Sequence, residues 1–144
     1  MELKLSIVIP AYNEERRVGA SLDAILNFLC SQAYSTEVIV VNDGSTDLTP
    51  EIVMSRADEY GKAGIELRLL TNDPNRGKGY SVKRGVTEAL GEIVLFTDAD
   101  LSSPVSEAPK LIQPIQHGEA DLVFGSRALD RSPQAALGSS EDRQ

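Results

Sequence analysis

The sequence predicts an α/β protein with a mostly parallel sheet and helices on both of its faces. Three observations lead there. Short aliphatic, β-branched runs such as LKLSIVIP, TEVIVV and EIVLFT alternate with segments whose apolar residues recur at helical spacing. Those runs are almost continuously apolar, as strands buried on both faces are. Each run ends in a polar segment, and strand–helix alternation of this kind builds a parallel sheet through crossover units.

Taken in order, Leu3 to Pro10 forms a first strand, ended by proline. Glu14 to Cys30 forms a helix with Val18, Leu22, Ile25, Leu26 and Leu29 in one stripe. Cys30 follows Phe28 and Leu29 and is expected to be a buried thiol of that helix. Thr36 to Val41 is a second strand. Thr49 is expected to cap a helix with Pro50 at its first position, running to about Tyr60 with Val53, Ala57 and Tyr60 inward. Ile65 to Leu70 is a third strand, and Gly79 to Leu90 a helix with Val82, Val86 and Leu90 inward. Glu92 to Thr97 is a fourth strand. A helix over roughly Ser106 to Gln116 follows, where Pro109 suits a first turn and Pro114 a kink or an end. His117 reads as a partner of that helix's C-terminal dipole. Ala120 to Phe124 is a fifth strand. Residues 1–130 make one domain, and residues 131–144 lose periodicity and read as a loose tail.

The chain has 144 residues, a length that suits one domain with a real core. Its net charge of −8 speaks against non-specific binding to nucleic acid or anionic lipid. One cysteine allows no internal disulfide and fits a reducing compartment. No apolar run approaches a membrane span and no signal peptide precedes the first strand. The expectation is a cytoplasmic protein whose membrane contact, where it occurs, is peripheral and on the cytoplasmic face.

In open α/β sheets ligands bind outside the carboxyl ends of the strands. Those ends here carry Pro10 to Glu14, Asn42 to Ser45, Asn72 to Gly79, Thr97 to Asp100 and Gly125 to Arg127. Asp98 and Asp100 lie one residue apart, about 6.5 Å in an extended segment at roughly 3.3 Å per residue. Alone, the pair fits a strand end and a capped turn. On a rim of five polar ends it fits a divalent cation, because Mg²⁺ or Mn²⁺ takes one or two carboxylates plus substrate phosphate oxygens. Asp43 either accepts hydrogen bonds from a base or ribose or makes an Asx turn in NDGS. Tyr12 either stacks on a base or covers the sheet end, and Glu14 either meets a ligand or caps its own helix. The Arg76–Gly79 loop runs into a helix and offers amides, a helix dipole and cations to a phosphate, or is a solvated turn. Arg127 pairs with a diphosphate or lies in solvent.

Five motifs, SIVIPAYNEE, EVIVVNDGSTD, NRGKGYSVKRGV, LFTDADLSSP and DLVFGSRAL, stand in the order and spacing of family 2 glycosyltransferases, which the chain resembles over roughly residues 5 to 130. Within that family it looks like the polyprenyl-phosphate sugar transferases of the dolichyl-phosphate glucosyltransferase and mannose synthase type. The resemblance implies a Rossmann-like GT-A fold. It implies that Pro10, Tyr12 and Glu14 line a nucleotide pocket and that Val41 and Asp43 contact base and ribose. Asn42 stands where the family usually has a first aspartate. Asp98 and Asp100 would be the DxD pair, Asp100 the direct metal ligand and Asp98, with Ala99, nearer the nucleotide sugar. Lys78 and Arg127 would sit near the phosphates or the donor sugar. NRGKG looks more like the glucosyl branch, favouring UDP-glucose over a GDP-hexose.

The implied reaction is an inverting transfer of a hexose from a nucleotide sugar to a polyprenyl phosphate, with Mg²⁺ or Mn²⁺ as cofactor. The family extends well beyond the GSR segment. The expectation that follows is a donor-binding half, with a nucleotide-sugar-binding domain of little or no transferase activity as the alternative to an active enzyme. Asp100→Ala is expected to abolish the metal dependence of nucleotide binding, read by calorimetry with and without the cation.

Overall fold

The computed structural model describes residues 4–32, 35–99 and, for the backbone alone, 123–125. The expected helix over 106–116, His117, Asp100, Arg127 and the tail 131–144 lie outside the described residues. The elements are β1 (Lys4–Ala11), α1 (Val18–Cys30), β2 (Ser35–Asn42), α2 (Thr49–Ser55), α3 (Ala57–Lys62), β3 (Glu66–Thr71), α4 (Lys78–Glu88), β4 (Ile93–Thr97) and β5 (Val123–Gly125). The strands form one sheet in the order β3-β2-β1-β4-β5, and every pairing is parallel. Successive strands thus run outward from β1 in one direction and then return to its other side at β4. The carboxyl ends of β1 and β4 diverge at that switch point, where such sheets open a crevice.

Because side chains alternate along a strand, β1 and β2 feed two cores. Leu5, Ile7, Ile9, Val38 and Val40 pack with Val18, Leu22 and Ile25 of α1, Val53 of α2 and Tyr60 of α3. Val8, Ile39 and Val41 form a smaller cluster on the opposite face, under α4. The α1 stripe lies as its spacing predicts, with Val18, Leu22, Ile25 and Leu29 buried. Cys30 does not: it is exposed at the last residue of α1, one position past the inward-facing Leu29.

The helix expected from Thr49 to Tyr60 is two helices, divided at Arg56 (φ −94°, ψ −5°). The break lets the Arg56 guanidinium cross α1, where Nε and Nη2 donate to the Asp23 carboxylate at 2.9 and 3.2 Å. Tyr60 remains inward, its hydroxyl donating to the Leu22 carbonyl at 2.5 Å, and burial pushes its pKa up. Thr49 is the first residue of α2 rather than its cap. Its amide and hydroxyl both donate to Asp47 Oδ1, so Asp47 satisfies the helix start.

Helix α4 departs furthest from expectation. Its buried residues are Ser81 and Gly85, whereas Val86 and Leu90 are 37% and 66% exposed. A Cβ on Gly85 would collide with Val8 Cγ1 and stand 3.2 Å from Val41 Cγ2. The helix lies so close to β1 and β2 that small residues one turn apart carry the contact, and the valine stripe turns aside. At its far end α4 meets the buried Glu37 of β2. That carboxylate accepts from the Ser6 hydroxyl and the Leu90 amide, both at 2.6 Å, and from Arg68 at 3.2 Å. Arg68 in turn donates to the Glu88 carbonyl at 3.0 Å.

Gly85→Ala is expected to destabilise the fold by about 1–3 kcal/mol, the usual cost of overpacking. Val86→Ala, on the same helix but half-exposed, should stay within about 0.5 kcal/mol. Urea unfolding of the two variants reads the difference.

Candidate functional site

The loop after β1 and the loop after β2 are laced together by side-chain to backbone bonds. Asn13 donates its amide to Ser45 Oγ at 2.9 Å and accepts the Thr46 amide at 2.9 Å. Glu14 donates its amide to Thr49 Oγ1 at 2.8 Å, and Glu15 accepts the Leu48 amide at 3.1 Å. Asn13 sits at φ 52°, a left-handed conformation that asparagine tolerates better than most residues. This lacing fixes one wall of the switch-point crevice and leaves the Tyr12 ring half-exposed on its rim.

The second wall is held by Asp43. It is buried, and its Oδ1 accepts from the Arg76 amide at 2.7 Å and Asn72 Nδ2 at 2.9 Å, while Oδ2 accepts from the Gly77 amide at 2.8 Å. Its own carbonyl accepts from Asn75 Nδ2 at 2.8 Å. Burial alone raises the Asp43 pKa, but the Arg76 amide, the Asn72 side chain and the Gly77 amide together outweigh it and hold the carboxyl below its ordinary value. Gly44 is required beside it, since φ is +72° and a Cβ would stand 2.7 Å from the Asn75 nitrogen. The side-chain bond that closes NDGS comes from Asn42, whose Oδ1 accepts the Ser45 amide three residues on at 3.1 Å, and not from Asp43.

This arrangement corrects the reading of the Arg76–Gly79 loop as an amide cradle for phosphate. The anion that the Arg76 and Gly77 amides serve is the protein's own carboxylate. The Arg76 guanidinium lies 5.5 Å from the Tyr80 ring centroid, and Arg84 donates to the Thr71 carbonyl at 2.5 Å and to Asn72 Oδ1 at 2.9 Å. What the loop presents to the crevice is the Lys78 side chain.

The crevice is a cavity of about 520 Å³, a size that suits a small-molecule ligand. Pro10, Ala11, Tyr12, Glu14, Asp43, Asn75, Gly77, Lys78, Ser81, Asp98 and Ala99 line it. Most of the residues singled out from the sequence therefore meet in one place. Val41 does not: its side chain is fully buried beneath Gly85 and lines no part of the cavity. Asn75 and Ser81 line the cavity without having been singled out. Their only sequence signal is position, one in the polar end of β3 and one a turn after Gly77. Lys78 Nζ pairs with Asp98 Oδ1, and Glu14 Oε1 lies 3.2 Å from Arg17 Nε. The Ala99 carbonyl accepts from Ser21 Oγ at 2.5 Å, tying the segment after β4 to α1.

For a divalent cation the chemistry of the donor set decides the fit. Among the described residues no three acidic, histidine or cysteine side chains cluster as a protein-only cage. Of the three described carboxylates that line the cavity, Glu14, Asp43 and Asp98, Asp43 is taken up by the Arg76 and Gly77 amides, while Asp98 stands at the end of β4 beside a volume large enough for a phosphate-bearing ligand. That fits Mg²⁺ or Mn²⁺ held between a carboxylate and substrate oxygens, the usual arrangement for such ions.

A parallel sheet with its cavity at the switch point, lined among the described residues by Glu14, Asp43, Asp98 and Lys78, is an α/β domain of GT-A type. Residues 6–138 match the model of glycosyl transferase family 2, and the chain belongs to that family. It is 39% identical over 138 residues to a dolichyl-phosphate beta-glucosyltransferase of Mus musculus, a match covering 87% of this chain and 41% of that protein. Among solved structures it is similar to the mannosyltransferase PcManGT of Pyrobaculum calidifontis in complex with GDP-Man and Mn²⁺. That match has 30% identity and a TM-score of 0.60, covering 69% of this chain and 28% of the other. It is also similar to glucosyl-3-phosphoglycerate synthase of Mycobacterium tuberculosis in complex with UDP. There identity is 28% and the TM-score 0.61, covering 82% of this chain and 42% of the other. The chain spans about two fifths of the length of the curated relatives it matches.

Glu37 shares the lowered pKa of Asp43: burial raises it, and the Ser6 hydroxyl, the Leu90 amide and Arg68 together outweigh that. A carboxyl depressed in the folded state stabilises the fold above its unfolded pKa, and that stability is lost as pH falls through the folded value. Stability to urea is therefore expected to be level from neutral pH down to about 5 and to fall below about 4. Asp43→Asn should flatten that acid limb, as denaturation midpoints across pH would show.

Proposed function

We propose that this chain supplies the donor site of a glucosyltransferase, binding UDP-glucose together with Mg²⁺ or Mn²⁺ and passing the sugar to a polyprenyl phosphate with inversion. The observation that carries the reading is the convergence of Tyr12, Asp43, Lys78 and Asp98 on one cavity at the switch point. It is supported by similarity to dolichyl-phosphate beta-glucosyltransferases and to solved transferases with UDP or with GDP-Man and Mn²⁺.

In this reading the exposed Tyr12 ring stacks on the base. Asp43 Oδ2 accepts one described protein hydrogen bond, against two at Oδ1, and so keeps acceptor capacity for a base N–H or ribose hydroxyl. Lys78 meets the diphosphate, and Asp98, with Asp100 two residues on, meets the cation. The cation supplies charge stabilisation to the departing diphosphate. Lys78 adds to that stabilisation from a backbone position already fixed, so little reorganisation accompanies the reaction. A phosphate oxygen of the acceptor attacks the anomeric carbon, the bond from that carbon to the diphosphate breaks, and UDP leaves with the electron pair. The attacking phosphate is already ionised at neutral pH, so the site needs no strong general base.

Arg127 completes the charge around the diphosphate in this proposal, and Pro10, Glu14 and Ala99 shape the pocket. The acceptor is lipid-borne while the donor is water-soluble, so the reaction belongs at a membrane surface that the protein touches peripherally. No helix among the described residues is long and apolar enough to cross a membrane.

Calorimetric titration of UDP-glucose and GDP-mannose, each with and without Mn²⁺, tests the reading. UDP-glucose is expected to bind the more tightly and to lose at least about tenfold in affinity without the cation. Asp98→Asn should remove most of that metal effect. Failure of both nucleotide sugars to bind at millimolar concentration with Mn²⁺ present would sink the donor-site reading.

A further inference from the structure

Arg84 lines no described part of the donor cavity, yet its guanidinium reaches the Asp43 carboxylate through a single intervening side chain, Asn72. Resting on the donor-site reading above, we propose that Arg84 is a positioning residue for base recognition, setting through the Asn72 amide the direction in which Asp43 offers its acceptor oxygen to the base.

The chain of contacts starts from a fixed support. Arg84 directly precedes Gly85, where α4 lies against Val8 and Val41. Its Nη1 donates to the Thr71 carbonyl at 2.5 Å and to Asn72 Oδ1 at 2.9 Å, so the guanidinium straddles the end of β3. Asn72 is buried, and its backbone amide donates to the Asn42 carbonyl at 2.8 Å. Its Nδ2 donates to Asp43 Oδ1 and to Ser81 Oγ, both at 2.9 Å. The buried Ser81 hydroxyl donates in turn to the Gly77 carbonyl at 3.1 Å, and the Gly77 amide returns to Asp43 Oδ2 at 2.8 Å. Asn72, Ser81, Gly77 and Asp43 thus close a ring, which Arg84 joins at the Asn72 oxygen.

The polarity of that ring is set from outside it. A guanidinium only donates and a carboxylate only accepts, so the amide turns its oxygen to Arg84 and its N–H bonds to Asp43 and Ser81. With the guanidinium removed, Oδ1 becomes a buried acceptor that has lost its charged donor, a costly state. A turn of the amide relieves it at the expense of the bond to Asp43. The carboxylate then keeps the Arg76 and Gly77 amides but loses the third donor, which fixes its rotation. Held in place, ionised Asp43 is an acceptor and nothing else. Uracil and guanine present an N–H at the ring nitrogen of their pairing edge. Cytosine and adenine present a bare acceptor nitrogen there, which a carboxylate repels. Misdirecting Asp43 is thus a loss for the first pair of bases and not for the second.

The test is calorimetric titration of UDP and of CDP with Mn²⁺ present, and its readout is the ratio of the two affinities. The wild-type chain is expected to prefer UDP. Arg84→Met should narrow that preference about three- to tenfold, the scale of one hydrogen bond's net worth, by weakening UDP and leaving CDP nearly unchanged. Arg84→Lys, whose ammonium donates to the same two oxygens, should keep most of the preference. Lys83→Met, on the same helix and outside the cavity, controls for the loss of one positive charge and should keep all of it. Equal weakening of UDP and CDP in Arg84→Met would mean that Arg84 only supports the fold, and would overturn the proposal. So would the same narrowing in Lys83→Met, which would reduce the effect to net charge. A wild-type chain that binds UDP and CDP alike would overturn it too, with the donor-site reading still standing. Binding of neither UDP nor GDP would sink that reading and the proposal together, a distinct result.

Discussion

The site depends on one buried carboxylate that never needs to touch a reacting atom. Asp43 reaches from the end of β2 to the two amides that precede α4, and to Asn72 at the end of β3. Without it, three loops of a highly polar rim would have no common anchor, and the amides at the start of α4 would be left without an acceptor. A buried donor that loses its acceptor costs about 1–3 kcal/mol. An internal anion at a helix start also satisfies the helix dipole before any ligand arrives. The consequence is a preorganised wall, with ligand-facing chemistry delegated to side chains carried on it.

The opposite wall is built by different means. Between the β1 and β2 loops no single residue dominates; Asn13, Glu14, Glu15, Ser45, Asp47 and Thr49 share the work through side-chain to backbone bonds. Two acids of this rim, Glu15 and Asp47, are such fasteners. Asp47 accepts the Glu15 amide at 3.2 Å as well as holding Thr49. An acidic rim is thus not by itself a sign of cation binding. Asp98 stands apart from this lacing and lines the cavity beside Lys78.

Legibility in the sequence followed the physical scale of each interaction. The sheet, its parallel sense and the α1 stripe were readable because burial of Val18, Leu22 and Ile25 is a local periodic signal. The cavity residues at strand ends were readable because open α/β sheets place ligands there. Helix α4 was misread because the reading followed large apolar residues, while the contact rests on Gly85 and Ser81. Val41 was assigned to the ligand although its neighbours in β2 alternate between two cores, and its own side falls under α4. The break at Arg56 and the exposure of Cys30 were hidden for a similar reason. Each depends on what lies across the interface, Asp23 in one case and open solvent in the other. The partners of Asp43 are more than twenty residues away in the chain, so no local pattern announces them.

Glu37 of β2 and Asp43, the residue directly after that strand, each grip one end of α4. From one carboxylate to the other the strand advances about 20 Å at roughly 3.3 Å per residue. From Gly77 to Leu90 the helix and its ends advance about as far, at roughly 1.5 Å per helical residue. The strand is therefore a ruler for the helix. One residue added within Lys78–Glu88 would lengthen the span and turn Gly85 off Val8, while one added to the Asp73–Asn75 bend would disturb neither grip on the helix itself. The spacing between the two acids therefore sets how long α4 is allowed to be.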